Sequence, residues 1–255
     1  FVGAEPYPVP MCVENDFLPD LSAIPSDVAK KATAFYLNYP NNPTGAVATP
    51  EFLNDLVAFA KEYSIAICYD NPYSEVVFGV NRLSFLNAPG AKEVGVELNS
   101  LSKPYNMTGW RIGMACGNPD IVRAIATSKA NTDSGVFNAV QYAGIEALDT
   151  CDDFIGEMLA LYNKRREKIL ATLRELGWRF DPPKGTFYLW VPVPKGFTSA
   201  EFCDYVFEKA SVVLAPGAAY GANGEGFVRF SLTVSDDRLD EALSRMRSHL
   251  GALSF

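Results

Sequence analysis

Apolar positions along this 255-residue chain switch between a period near 3.6 and short continuous runs, and that switching predicts most of the fold. Phe52, Leu53, Leu56, Val57, Ala60 and Tyr63 recur at helical spacing. Thr49 stands at the N-cap and Pro50 at the first helical position, so the pattern predicts a helix over 50–63. Apolar runs at 34–38 and 65–69 flank it and read as buried strands. Strand, helix and strand of these lengths form a βαβ unit, which implies a parallel sheet. The alternation continues with strands at 94–99 and 112–116 and helices at 119–130 and 137–148. A long helix over 152–176 stops at Gly177, and its length suits a connector between domains. Beyond it, strands at 187–191, 212–214 and 227–232 and helices at 199–209 and 236–250 suggest a smaller α+β unit. The first 25 residues are rich in Pro and acidic residues and read as strand and loop.

The expected fold class is therefore α/β, a mostly parallel sheet flanked by helices, with a smaller C-terminal α+β domain. The expected boundaries are a large cofactor-binding domain over 1–150, a connecting helix over 151–177 and a small domain over 178–255.

Composition narrows the function. The chain is 48% hydrophobic and 20% charged, enough to bury a sizeable core. Its net charge of -8 argues against nucleic acid or an anionic membrane surface as the main partner. No apolar run approaches the roughly 20 residues of a membrane span. Five dispersed cysteines without a CxxC pair read as reduced thiols of a cytoplasmic protein. The single histidine, His249, leaves no Ser-His-Asp triad and no multi-histidine metal site, so no metal is expected.

Candidate chemistry gathers just past strand ends, where ligands collect in parallel α/β sheets. Lys103 follows the run at 94–99, with Ser100 and Ser102 before it and Arg111 eight residues after it. Desolvation at such a place lowers the pKa of an amine toward that of a usable nucleophile. Hydroxyls and a guanidinium suit a phosphate. Together they suggest an amine that bonds to a phosphate-bearing carbonyl compound, of which pyridoxal phosphate is the obvious example. A polar turn is the structural alternative for this stretch. Asp70 ends an apolar run and would meet a protonated pyridine nitrogen; its alternative is a turn aspartate before Pro72. Tyr73 and Asn42 would hold the cofactor's phenolic oxygen; ordinary packing and a self-stabilised turn are their alternatives. Arg229, inside the run Phe-Val-Arg-Phe-Ser-Leu, would grip a carboxylate through its planar fork, or simply face solvent.

The motifs Asn-Asn-Pro-Thr-Gly at 41–45, Asp-x-x-Tyr at 70–73, Ser-x-Ser-Lys at 100–103 with Arg111, and Arg229 in Val-Arg-Phe-Ser resemble the class I/II, fold-type I, pyridoxal-phosphate aminotransferases. The stretch Tyr-Asn-Met-Thr-Gly-Trp-Arg-Ile-Gly at 105–113, with Asp-Ser-Gly-Val-Phe at 133–137, is most similar to LL-diaminopimelate aminotransferases. The resemblance implies that Lys103 is the Schiff-base lysine and proton carrier, and that Asp70 holds the pyridine nitrogen. It implies that Asn42 and Tyr73 hold the ring oxygen. Ser100, Ser102 and Arg111 would hold the phosphate. Arg229, with Asn42, would bind the substrate's α-carboxylate. The implied partners are an amino acid, a 2-oxo acid such as 2-oxoglutarate and a second copy of the chain. Two features depart from the family: Pro104 directly follows Lys103, and family members are longer at the N-terminus. An aspartate- or alanine-type aminotransferase, a β-lyase on the same scaffold and an aminotransferase-like sensor domain of a transcription regulator are the alternative functions.

Overall fold

A computed structural model describes residues 3–251 and residue 253. The chain divides into two compact units, one formed by residues up to 40 with 46–155, the other by 41–45 with residues from 156 onward.

The first unit is built on a four-stranded sheet. Strands β1 (Ala34–Asn38), β2 (Ala66–Asp70), β3 (Gly95–Ser100) and β4 (Gly113–Gly117) lie in that order, after a one-turn helix α1 (Ser26–Ala29). β1–β2 and β2–β3 are parallel and β3–β4 is antiparallel. The crossover from β1 to β2 is α2 (Pro50–Tyr63), whose N-cap Thr49 accepts a hydrogen bond from the Phe52 N–H at 3.1 Å. Phe52, Leu53, Leu56, Val57 and Ala60 form its buried stripe and pack with Leu37, Tyr39, Ile67, Tyr69 and Phe85. Burying each large side chain of this kind contributes about 1.5–3 kcal/mol. A one-turn helix α3 (Ala91–Val94) leads into β3. Helix α4 (Pro119–Ala130) is capped by Asn118, and α5 (Asn138–Thr150) follows it.

Strands β2, β3 and β4 each run one residue later than the apolar runs suggest, because backbone pairing continues past the last apolar side chain. Asp70 is thus the last residue of β2, paired with Asn38 and Leu98. The opening segment is loop with two 3-10 turns, Val13–Asn15 and Leu21–Ala23, and an isolated bridge between Met11 and Pro19. The expected strand there reduces to that bridge, and residues 1–2 lie outside the described residues.

Helix α6 (Asp152–Glu175) contains the boundary between the units, after Ile155. The second unit holds a three-stranded antiparallel sheet in the order β5 (Tyr188–Pro192), β7 (Phe227–Ser231), β6 (Ala215–Pro216). Helices α7 (Ser199–Ala210) and α8 (Asp236–His249) complete it. Leu189, Val191, Val228 and Phe230 are buried, as are Leu170, Leu173, Phe202, Val206, Leu239 and Met246. Trp178 is fully buried, with its indole N–H donating to the Pro192 carbonyl at 2.8 Å. The expected strand at 212–214 is not formed. Val213 is exposed there, and pairing with β7 begins only at Ala215.

Candidate active site

The first unit holds six of the eight candidate residues, Asp70, Tyr73, Ser100, Ser102, Lys103 and Arg111, at or beside the carboxyl ends of its parallel strands. β1, β2 and β3 run parallel, so Asn38, Asp70 and Ser100, their last residues, end on the same side. Asn38 and Asp70 are register partners, and the Asn38 amide donates to the Asp70 backbone carbonyl at 2.9 Å and to its carboxylate at 3.4 Å. Tyr36 shares that strand face, and its hydroxyl hydrogen-bonds the Asp70 carboxyl. Burial pushes the Asp70 carboxyl above its ordinary range, and the Tyr36 hydrogen bond opposes that shift. The half-buried acid has no ion pair among the described residues.

Past β3 the chain turns sharply. The Ser102 N–H donates to the Ser100 hydroxyl at 3.1 Å, and the Thr108 hydroxyl donates to the Ser102 carbonyl at 3.0 Å. The Tyr105 N–H reaches the Leu101 carbonyl at 3.3 Å, so the turn closes across Pro104. Lys103 projects from it with its ammonium nitrogen 5.8 Å from the centre of the buried Tyr73 ring. Burial holds the Lys103 amine below the ordinary lysine range, and the nearby Arg111 guanidinium lowers it further. Arg111 is exposed, takes a left-handed backbone at φ 55° and donates to the Thr108 carbonyl at 3.1 Å.

The second unit holds the other two candidates. In the turn at 41–45, Asn41 makes the turn. Its side-chain oxygen accepts from the Thr44 N–H at 3.1 Å and hydroxyl at 2.7 Å, and its backbone carbonyl accepts from the Gly45 N–H at 2.8 Å. The Asn42 side-chain oxygen accepts from an Arg229 terminal nitrogen at 2.9 Å. Gly45 is required where it is: its φ is +68°, and an added Cβ would lie 2.4 Å from the Pro183 Cβ. Arg229 lies in β7, opposite Trp190 on one side and Ala215 on the other. Its guanidinium carbon sits 3.9 Å from the Tyr188 ring centre and 5.0 Å from that of Tyr220. It forms no ion pair among the described residues, and a half-buried fork of this kind is suited to a carboxylate.

Tyr36, Asn38, Tyr188 and Tyr220 escaped the sequence reading. For the first two, the signal was present in β1, where alternation puts both on the face of Asp70. Tyr188 and Tyr220 carry no local mark.

A half-buried lysine amine and an acid with no ion pair among the described residues, both at the carboxyl end of a parallel sheet, fit a pyridoxal-phosphate site of the aminotransferase fold. The chain belongs to the class I and II aminotransferase family, whose model matches residues 1–246. It is 52% identical over 254 residues to the LL-diaminopimelate aminotransferase of Moorella thermoacetica, covering 99% of this chain and 65% of that protein. It is 51% identical over 247 residues to that of Halothermothrix orenii, covering 96% of this chain and 64% of the relative. The chain thus spans about 65% of the length of the curated relatives it matches. Among solved structures it superimposes on substrate-bound BacF of Bacillus subtilis with a TM-score of 0.91 and 39% identity, covering 98% of this chain and 63% of that one. A probable N-succinyldiaminopimelate aminotransferase of Thermus thermophilus gives a TM-score of 0.87 and 36% identity, covering 95% and 65%. The family's cofactor is pyridoxal phosphate, and the residues present fit it. A protonated ring nitrogen would give the half-buried Asp70 the cation it lacks among the described residues, and Ser100, Ser102 and Arg111 offer a phosphate hydroxyls, N–H groups and a guanidinium.

Proposed function

We propose that the chain is the larger part of an LL-diaminopimelate aminotransferase, which moves an amino group from LL-2,6-diaminopimelate to a 2-oxo acid such as 2-oxoglutarate. The observation that carries this reading is the half-buried Lys103 amine beside Tyr73, placed past the same sheet edge at which Asp70 ends β2. The identity of about 52% to a relative so named supports the substrate.

Lys103 would hold the cofactor covalently, and its amine would serve as the base that takes and moves the substrate's α-proton. A depressed amine pKa serves this step, because only the neutral amine accepts a proton; placed general-base catalysis is worth roughly 10²–10⁴-fold. When bound, pyridoxal phosphate supplies the electron sink for the carbanion that departure of the α-proton leaves. Asp70 would hold the ring nitrogen and favour its protonated form. Tyr73 and Asn42 hold the phenolic oxygen. Ser100, Ser102 and Arg111 hold the phosphate, and Arg229 with Asn42 holds the substrate's α-carboxylate.

Working partners are the two small acids and a second copy of the chain, in the cytoplasm. The exposed apolar side chains Trp110, Phe137, Tyr142 and Ile145 of the first unit support a covering surface of that kind. No helix among the described residues is long and apolar enough to cross a membrane.

Two measurements test the proposal. The protein with pyridoxal phosphate should show a visible or near-ultraviolet absorption band that Lys103→Ala abolishes; a variant that keeps the band refutes the role of Lys103. In a panel of amino donors with 2-oxoglutarate, LL-diaminopimelate should give the highest kcat/KM against aspartate and alanine. Pyruvate and ammonia from a β-substituted donor, without amino exchange, would make it a lyase instead.

A further inference from the structure

One face of the small sheet is an aromatic bed for Arg229. Directly opposed residues of an antiparallel pair point to the same face, so Trp190 and Arg229 lie side by side, with Tyr188 and Ser231 as the next pair and Pro192 and Phe227 beyond. The opposite face carries Leu189, Val191, Val228 and Phe230 into the core. On the Arg229 face, Trp190 stacks on Phe227 at 5.3 Å and 9° and meets Tyr220 edge-on at 5.7 Å and 86°. Tyr220 comes from the 3-10 turn Gly217–Tyr220. That turn is seated by backbone packing at Gly217, where an added Cβ would lie 1.9 Å from the Gly224 carbonyl oxygen.

We propose that Tyr188 is a positioning residue that fixes the plane of the Arg229 guanidinium and thereby sets the affinity for a substrate carboxylate, an inference that rests on the role given to Arg229 above. A planar group needs two restraints to present one edge. The Tyr188 ring, 3.9 Å from the guanidinium carbon, sets its plane. The hydrogen bond to Asn42 at 2.9 Å sets its rotation within that plane. The N–H groups left over then point in one direction, and a carboxylate lying in the same plane meets two of them at once. Without the ring the guanidinium swivels about its stem, and the second of those bonds is lost for much of the time. Tyr220, whose ring centre is 5.0 Å away, lends less.

The test is calorimetric binding of glutarate, an unreactive dicarboxylate, to the holoenzyme, with steady-state kinetics alongside. Tyr188→Leu should weaken glutarate roughly 10-fold, the worth of one charge-assisted hydrogen bond at the low end of its range. It should raise KM for the amino donor while leaving kcat nearly unchanged. Tyr188→Phe keeps the ring and should bind within about 2-fold of wild type. Arg229→Gln should lose roughly 100-fold. Fluorinated phenylalanines at position 188, which keep the ring's shape and drain its face without adding an ionisable group, should weaken binding stepwise with fluorine count. They serve as the measurement if the leucine variant does not fold. Glutarate binding unaffected by Tyr188→Leu or by fluorination, with Arg229→Gln collapsed, overturns the inference and leaves the role of Arg229 standing. Equal loss in Tyr188→Phe and Tyr188→Leu overturns it as well. Wild-type binding by Arg229→Gln overturns the role of Arg229 itself.

Discussion

Replacing Glu97 with glutamine removes half an oxygen set that the first unit uses completely. Glu97 sits in β3 and is 4% exposed. One carboxylate oxygen accepts from the Asn71 amide at 3.2 Å and the Asn99 amide at 2.9 Å. The other accepts from the Ser84 hydroxyl and the Phe85 N–H, both at 2.7 Å. The side chain thus ties β3 to the residue after Asp70 and to the loop whose Phe85 stacks on Tyr69. Four donors stand where a counter-ion would otherwise be needed. A glutamine amide aimed at Ser84 and Phe85 sets N–H against N–H. Aimed the other way, it meets Asn71, whose side-chain oxygen has no hydrogen-bond partner among the described residues. Asn71 can turn over and accept, at the cost of its own 3.3 Å bond to the Leu83 carbonyl, and the half-buried Asn99 amide, which donates to the same oxygen, turns over with it. The cheaper outcome loses one neutral hydrogen bond and weakens two charge-assisted ones, about 2 kcal/mol in all. For a chain of this size that corresponds to a fall of about 4–8 °C in the thermal midpoint. Glu97→Met, which strands the Phe85 N–H and the Asn71 amide together, should cost about twice as much. Urea and thermal unfolding of both variants supply the assay. A glutamine variant within about 0.5 kcal/mol of wild type, or a methionine variant more stable than the glutamine one, refutes the reasoning.

Removing the Arg111 cation should let the Lys103 amine rise part of the way back toward the ordinary lysine range, burial being the larger cause of its depression. At a fixed pH below that range the neutral fraction falls. Arg111→Met apoprotein should therefore be labelled at Lys103 more slowly by a small aldehyde with borohydride, and an unchanged rate contradicts this. Asp236 accepts from Lys164 at 2.9 Å and from Arg165 at 2.7 Å, which together lower its pKa to about 2 and tie α8 to α6. A depressed carboxylate stabilises above its ordinary pKa and loses that effect as pH falls through the depressed value. Asp236→Asn should therefore be less stable than wild type near neutrality, with the gap in urea midpoint closing between pH 4 and 2; a pH-independent gap rejects the ion pairing as its source. Gly45→Ala places a methyl group against Pro183 and the Gly185 carbonyl in a left-handed backbone, and should cost roughly 2–4 kcal/mol by chemical denaturation.

The legible parts of the fold are those with local signals. Helix α2 begins where Thr49 and Pro50 announce it, and α4 begins where Asn118 and Pro119 do, because caps act within one turn of chain. Gly177 follows α6 with a positive φ of 107°, as a glycine stop requires. The run at 212–214 shows the limit. It has the apolar content of a strand, but a strand exists only where a neighbour's backbone is free to pair, and β7 offers that to Ala215 and Pro216.

For the candidate site the same division holds. The types and order of Asn42, Asp70, Tyr73, Ser100, Ser102, Lys103, Arg111 and Arg229 are written in the chain, and so is the family. Which of two adjacent asparagines makes the turn is not, since either has the chemistry; the structure gives the turn to Asn41 and Arg229 to Asn42. That bond spans 187 positions. The ring of Tyr188 against Arg229 is likewise a product of strand register, and the four donors around Glu97 are gathered by β3, the residue after β2 and the turn at Ser84 and Phe85. Composition and spacing alone determine an α/β chain with an aspartate at one strand end and a lysine past another. Tertiary structure alone decides which side chains restrain them, because a planar or charged group is fixed by whatever packing brings within about 3–4 Å, and that distance is independent of separation along the chain.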